Sequence, residues 1–224
     1  MNKSNLIVML THNDYTVHDA IDVFNTCKHL PVEYWGAKEQ GISPQELKRL
    51  FDAINESRKT SVLEVVAYTE NDCLDGAKLG IECGCDILLG TKYFDSVNDL
   101  CRSHNVKYMP FAGDVSGRPS VLKGSVNDIL SQAEEYRKKG VHGVDLLGYR
   151  YTGNTAELCR TFADKFDLPV CLAGSINTIE RLNEVLQINP EYFTIGSAFF
   201  EHSFGHTIPD QIESVCTIIN QQKP

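Results

Sequence analysis

Two apolar runs near the end of the chain, Leu168-Pro-Val-Cys-Leu-Ala-Gly-Ser-Ile176 and Tyr192-Phe-Thr-Ile-Gly-Ser-Ala-Phe-Phe200, each contain a strand-like stretch that stops at Gly-Ser. A continuous apolar run bounded by glycine is the pattern of a strand buried on both faces of a parallel sheet. At the glycine the backbone can turn tightly and approach a ligand closely. The N–H groups that follow, the serine hydroxyls and the dipole of a helix start all favour an anion. Two such strand ends, one βα repeat apart and close to the end of a chain of 224 residues, lie where a (β/α)8 barrel, an α/β fold, places a phosphate group.

The rest of the chain reads as the remainder of that barrel. Strands are predicted at Leu6–Leu10, Val32–Ala37, Ser61–Tyr68, Cys85–Gly90, Val106–Ala112, Gly143–Gly148, Leu168–Ala173 and Tyr192–Ile195. Between them the apolar period changes to that of helices. Leu47, Leu50, Phe51 and Ile54 share one helix face, as do Ile179, Leu182, Val185 and Leu186. Ser43 followed by Pro44 reads as an N-cap with proline at the first helical position. The helical segments differ in length and sequence, which suits a barrel and not a solenoid. No linker or low-complexity tract is visible, so one TIM-barrel domain over residues 1–224 is expected.

Charge and cysteine usage narrow the partners. A net charge of −9 argues against nucleic acid and against an anionic membrane surface. No apolar stretch approaches the length of a membrane span. The first apolar run stops at His12-Asn13-Asp14, too soon for a signal peptide. The eight cysteines are scattered, with Cys27, Cys101, Cys159 and Cys216 inside helical patterns, unlike a disulfide scaffold. Cys83-Gly-Cys85 has no second Cys/His pair nearby to complete a zinc site. Reduced thiols and a cytoplasmic location are expected, with neither metal nor cofactor called for. The expected partner is a small phosphorylated metabolite, and a homodimer is left open.

Chemistry in this fold gathers at the C-terminal ends of the strands. Glu64 is the oddest residue there, a carboxylate inside Val62-Leu-Glu-Val-Val66. Burying it requires a cation or a proton. Lys38, at the end of the neighbouring predicted strand, is the obvious cation. A buried Lys–Glu pair is either a structural ion pair or a general acid and base with perturbed pKa values. Asp145 has a similar setting nearer its strand start. His12 with Asp14 reads as an acid/base or metal pair, or as a loop histidine with a helix N-cap. Thr91, Lys92, Asp114, Arg118 and Arg150 are candidate substrate contacts, Arg150 for its fork of donors. Lys92 also reads as a Schiff-base lysine or a solvated residue. The segment from Gly113 to Gly124 reads as a lid or as merely a long loop. His202 and His206 are expected at the surface.

Ala173-Gly-Ser-Ile176 followed by a helix, then Phe193-Thr-Ile-Gly-Ser-Ala-Phe-Phe200, resemble the phosphate-binding half of the ribulose-phosphate-binding barrel superfamily. That group includes the histidine-biosynthesis isomerase and cyclase, tryptophan-biosynthesis barrels, ribulose-phosphate epimerase and the orotidine and ketogulonate phosphate decarboxylases. The resemblance implies that Gly174, Ser175, Gly196 and Ser197 bind a substrate phosphate. The middle segments at residues 36–41, 63–66 and 108–113 resemble those of an uncharacterised bacterial branch of the group. The decarboxylases' Asp-x-Lys-x-x-Asp motif is replaced by Glu64-Val-Val-Ala-Tyr-Thr-Glu70, which speaks against that lyase mechanism. Asp14 and Asp114 lie near the isomerase's two aspartates without a close motif match, and the metal-dependent epimerase pattern is missing. The expected function is an enzyme that transfers a proton next to the carbonyl of a phosphorylated sugar or related metabolite, as an isomerase, an epimerase or an aldolase/lyase. The alternatives are a non-catalytic phosphate-metabolite sensor and a Schiff-base aldolase using Lys92 or Lys38.

Overall fold

A computed structural model describes residues 4–221. Eight parallel strands form one sheet: β1 (Asn5–Met9), β2 (Tyr34–Lys38), β3 (Thr60–Val65), β4 (Ile87–Gly90), β5 (Lys107–Met109), β6 (Val144–Leu146), β7 (Val170–Leu172) and β8 (Tyr192–Ile195). Their hydrogen-bonded order runs β6-β7-β8-β1-β2-β3-β4-β5. The seam between β5 and β6 is bridged just past β5, where Asp145 N–H donates to the Pro110 carbonyl at 2.9 Å and Ala112 N–H to the Asp145 carbonyl at 3.1 Å. Helices alternate with the strands: α1 (Ala20–Cys27), α2 (Pro44–Glu56), α3 (Glu70–Cys83), α4 (Asp95–Ser103), α5 (Val126–Lys138), α6 (Thr155–Lys165), α7 (Ile179–Ile188) and α8 (Ile208–Gln221). A single turn, Ser197–Phe200, precedes α8. This is the α/β TIM-barrel fold that the strand and helix periods predict.

Local chemistry explains the elements. Ser43 and Glu46 form a reciprocal capping box with Pro44 at the first turn of α2, a cap worth about 1 kcal/mol. Strand alternation sorts the core into two layers. Ile7, Met9, Val62, Ile87, Leu89, Met109, Cys171 and Tyr192 pack together in the barrel interior. Their alternates, among them Val8, Trp35, Ala37, Leu63 and Leu88, pack under the helices. Gly36 points inward, where a Cβ would lie 2.3 Å from the Met9 sulfur, so its lack of a side chain makes room for methionine in the barrel.

Most strands are shorter than their apolar runs. Ser61–Tyr68 yields Thr60–Val65 and Val106–Ala112 yields Lys107–Met109. Ala67, Phe111 and Ala112 beyond them are buried and still pair across the sheet, through Lys92 N–H to the Ala67 carbonyl, Phe111 N–H to the Thr91 carbonyl and Ala112 N–H to the Asp145 carbonyl, but only as isolated bonds past the regular ladder. The segment after Gly113 is an antiparallel hairpin, Asp114–Ser116 paired with Val121–Lys123, rather than an unstructured loop. No helix among the described residues is long and apolar enough to cross a membrane.

All eight cysteines are buried, and none is in a disulfide. Burial pushes the thiols of Cys27 and Cys73 up to about 11 and those of Cys101 and Cys159 up to about 12. Thiol reagents attack the thiolate, so the native protein is expected to react slowly at neutral pH. Under denaturing, non-reducing conditions all eight are expected to titrate. A clearly smaller number would show that some are oxidised.

Candidate active site

The strand parity that fills the barrel with apolar side chains also carries three polar ones into it. Lys38 lies on the same side of β2 as Tyr34 and Gly36, Glu64 follows Val62 on β3, and Asp145 on β6 is in register with interior Cys171. Lys38 and Glu64 are direct register partners. The Lys38 Nζ lies 3.3 Å from Glu64 Oε1 and donates to Asp14 Oδ1 at 2.8 Å. The three side chains are 7%, 13% and 12% exposed, so the cluster is nearly dry.

Asp14 reaches this point through a hairpin that follows β1. Thr11 pairs with Thr16 and His12 with Tyr15. The turn residues Asn13 and Asp14 have φ of 51° and 66°, values that Asn and Asp tolerate better than most residues. The Thr16 hydroxyl locks the hairpin to β2, donating to the Lys38 carbonyl and accepting from its N–H, both at 2.8 Å. Asp14 is therefore a turn residue, not the helix N-cap that the sequence allows; Asp19 holds that place before α1.

Electrostatics fix two of the charges. Burial alone would push Asp14 up, but the Lys38 hydrogen bond and the charges of Lys38, Arg150 and Arg118 outweigh it and hold the carboxyl below the ordinary range. Burial likewise opposes the Lys38 charge, and Glu64 with Asp14 more than restore it, so its ammonium titrates above the usual lysine value. Lys38 is thus a donor and a positive charge at neutral pH, not a free amine.

Around this cluster opens a mouth of about 490 Å³, a size suited to a small metabolite. Gly174, Ser175, Gly196, Ser197, Arg118 and Arg150 line it together with Lys38, Glu64 and Asp14. Gly174 has φ of +99°, and a Cβ there would come within 2.9 Å of Arg150 Cγ. The glycine lets the arginine stem cross it, with its Nη2 reaching 3.7 Å from Asp14 Oδ1. A Cβ at Gly196 would lie 2.6 Å from the Thr11 hydroxyl. Ser197 opens the one-turn helix, and its hydroxyl accepts from Asn13 N–H at 3.1 Å. Arg181 braces the other loop, donating to the Ser175 carbonyl and lying over the Tyr149 ring at 4.9 Å. Arg118, near the tip of the second hairpin, spans the mouth to Glu39 Oε1 at 2.9 Å.

Four expected contacts lie elsewhere. His12 is absent from the lining; its Nε2 is 3.7 Å from Glu201 and its ring stacks near Phe200. Strand alternation in the hairpin sends it opposite to the mouth-lining Thr11. Thr91 is fully buried and shares a 2.6 Å hydrogen bond with the Tyr108 hydroxyl. The turn at Gly90 and Thr91, both at positive φ, leaves Lys92 exposed outside the mouth. Asp114 is exposed at the base of the second hairpin and also outside it. His202 and His206 are exposed as expected.

Sequence reasoning undervalued Asp145. It is 1% exposed, and neither carboxyl oxygen has a hydrogen-bond partner among the described residues. Burial, then the charge of Glu64, push its carboxyl well above the ordinary range despite Lys38 and Arg150. The signal that exposed Glu64, a lone acid within an apolar strand, applied equally here. Asn13, Tyr15 and Asn177 were also missed; Asn13-Asp14 is a hairpin-turn dipeptide that could have been read as one. Among the described residues, no group of three or more His, Cys, Asp or Glu side chains is arranged to hold a metal ion.

Residues 112–222 match the family described as histidine biosynthesis protein. No curated protein matches the chain. Among solved structures, the N-acetylmannosamine-6-phosphate 2-epimerase of Clostridium perfringens is similar at 16% identity and a TM-score of 0.65, over 97% of this chain and 94% of that one. The orotidine 5′-phosphate decarboxylase of Pyrococcus horikoshii is similar at 11% identity and a TM-score of 0.69, over 96% and 99%. A glycerol uptake operon antiterminator regulatory protein of Listeria monocytogenes is similar at 17% identity and a TM-score of 0.58, over 86% and 91%. At these identities the likeness to the solved structures is one of fold.

Proposed function

We propose, for a chain that resembles the ribulose-phosphate-binding barrels, that the mouth binds a small phosphorylated sugar or related metabolite and moves a proton next to its carbonyl. The observation that carries this reading is the buried Lys38 ammonium, 2.8 Å from Asp14 and 3.3 Å from Glu64, in one cavity with the ends of β7 and β8. The epimerase and decarboxylase among the similar folds are named for phosphorylated substrates, which supports the substrate class and leaves the reaction open.

The roles follow from the charges. Gly174, Ser175, Gly196 and Ser197 hold the phosphate at the strand ends. Glu64 accepts the proton from the carbon beside the carbonyl. The electron pair left behind passes to the carbonyl oxygen, where the Lys38 ammonium stabilises the charge that develops. Asp14 keeps Lys38 charged and oriented. A Schiff base has less support: Lys38 is held protonated, and Lys92 is outside the mouth. The sensor reading is favoured by one feature, the close ion triad, which would hold the barrel together without any chemistry.

Two measurements test the proposal. Inorganic phosphate is expected to bind at the ends of β7 and β8. Gly174→Ala is expected to weaken it on the order of 10-fold, since the added Cβ meets Arg150 and φ is +99°. A crystal grown at high phosphate with these loops empty would contradict the anion site. Incubation with keto-sugar phosphates in D2O is expected to exchange the hydrogen beside the carbonyl. Phosphate binding without exchange on any such compound would favour the sensor.

A further inference from the structure

We infer that Glu64 and Asp145 form a two-carboxyl unit carrying a single proton, in which Asp145 is the positioning residue that holds the proton and leaves Glu64 ionised toward the ligand. The inference rests on the proton-transfer reading above. Asp145 is the one carboxyl among the described residues with both oxygens buried and unpartnered. Buried polar side chains elsewhere in the fold find partners: Thr16 with Lys38, Ser61 with Asp86, Thr91 with Tyr108 and Gln211 with Phe199. An ionised carboxylate without a partner at position 145 has lost its hydration for nothing, whereas a neutral acid has lost far less.

The groups facing Asp145 decide where the proton sits. Strand parity turns Glu64 of β3, Lys38 of β2 and Cys171 of β7 into the same barrel interior as Asp145, and the charges of Glu64, Lys38 and Arg150, which follows β6, act on it there. Both cations are engaged elsewhere, Lys38 with Asp14 and Glu64 and Arg150 with Asp14. Glu64 has Lys38 at 3.3 Å and lines the mouth, while Asp145 has neither advantage. Two carboxyls in one low-dielectric interior cannot both ionise easily, so the better-paired one takes the charge and the buried one the proton.

The unit then works as follows. Glu64 takes a proton from the ligand: the C–H bond breaks, an O–H bond forms, and the electron pair stays on the ligand as an enolate. The unit now holds two protons and no charge. It returns to one proton when Glu64 gives its proton back to the ligand. Throughout, Asp145 supplies no second negative charge to repel the enolate or the phosphate.

Infrared difference spectra between H2O and D2O test this on the intact protein. A protonated-carboxyl band is expected at neutral pH in the wild type, retained in Glu64→Gln and lost in Asp145→Asn. On raising the pH the band bleaches as Asp145 ionises. In Glu64→Gln the bleaching is expected about one pH unit or more lower, because the neighbouring charge is gone. Absence of the band in the wild type, its survival in Asp145→Asn, or identical bleaching with and without Glu64 would each overturn the unit. The wild-type and Glu64→Gln titrations carry the test even if Asp145→Asn fails to fold. Where Asp145→Asn folds, its exchange rate in D2O is expected to lose the alkaline limb of the wild-type pH profile; superimposable profiles would overturn the positioning role. Exchange that survives in Glu64→Gln while the band still shifts would overturn the proton-transfer reading and leave the shared proton standing.

Discussion

Glu64→Gln is expected to slow hydrogen exchange on a bound keto-sugar phosphate by about 10²–10⁴-fold, the usual worth of a general base, while inorganic phosphate binds as in the wild type. The substitution removes a proton acceptor and a charge but almost no volume. Lys38 keeps Asp14 at 2.8 Å, so its ammonium is not left alone. The stability loss is therefore expected near that of one charged hydrogen bond, about 1–3 kcal/mol. A structural ion triad predicts another pattern. Stability and phosphate affinity would fall together, and the folded fraction would exchange hydrogen at the wild-type rate. Measuring melting temperature, phosphate affinity and exchange on one preparation separates the two. A variant that melts much earlier, binds phosphate poorly and exchanges at full speed per folded molecule would remove Glu64 from the chemistry.

The barrel and the floor of its mouth were legible because each depends on a local pattern. Apolar runs bounded by glycine mark strands, and period-2 alternation within them decides what enters the barrel. One acid in an apolar run, Glu64, was enough to call for a cation, and the neighbouring strand end supplied Lys38. Asp145 obeys the same rule nearer the start of its strand. What the sequence could not show is geometry set by loops. Thr91 and Lys92 follow a strand end, as site residues often do, yet the positive-φ turn there buries one and exposes the other. His12 and Asp14 sit two apart and looked like partners. The hairpin turn sends Asp14 to Lys38 and His12 to Glu201. Arg118 is far in sequence from Glu39, and only the folding of residues 114–123 into a hairpin brings them to 2.9 Å.

Lys38→Met is expected to have the largest effect on stability. It preserves most of the buried stem and deletes the charge that Asp14 and Glu64 share, leaving two carboxylates that are 12% and 13% exposed. Removing one partner of a buried ion pair typically costs about 3–5 kcal/mol. At roughly 2–4 °C per kcal/mol for a chain of this size, the melting temperature is expected to fall by roughly 6–20 °C. The pH dependence gives the effect a signature. In the wild type Asp14 titrates below the ordinary carboxylate value, because Lys38 and the two arginines overcome its burial. A depressed folded pKa contributes stability that is present above the unfolded value, about 3.9, and is lost as pH falls through the folded value. Lys38, raised above its ordinary value, contributes stability that is full below about 10.4 and lost as pH rises through the folded value. Both contributions are complete at neutral pH. Without Lys38, burial of Asp14 is opposed only by the arginines, so protonation becomes a relief rather than a loss. The gap in melting temperature between wild type and variant is therefore expected to be widest near neutrality, to close toward acid as Asp14 protonates, and to close again toward strong alkali. A gap that stays constant across pH would show that the lysine contributes packing alone, and the charge assignment of the whole mouth would have to be redrawn.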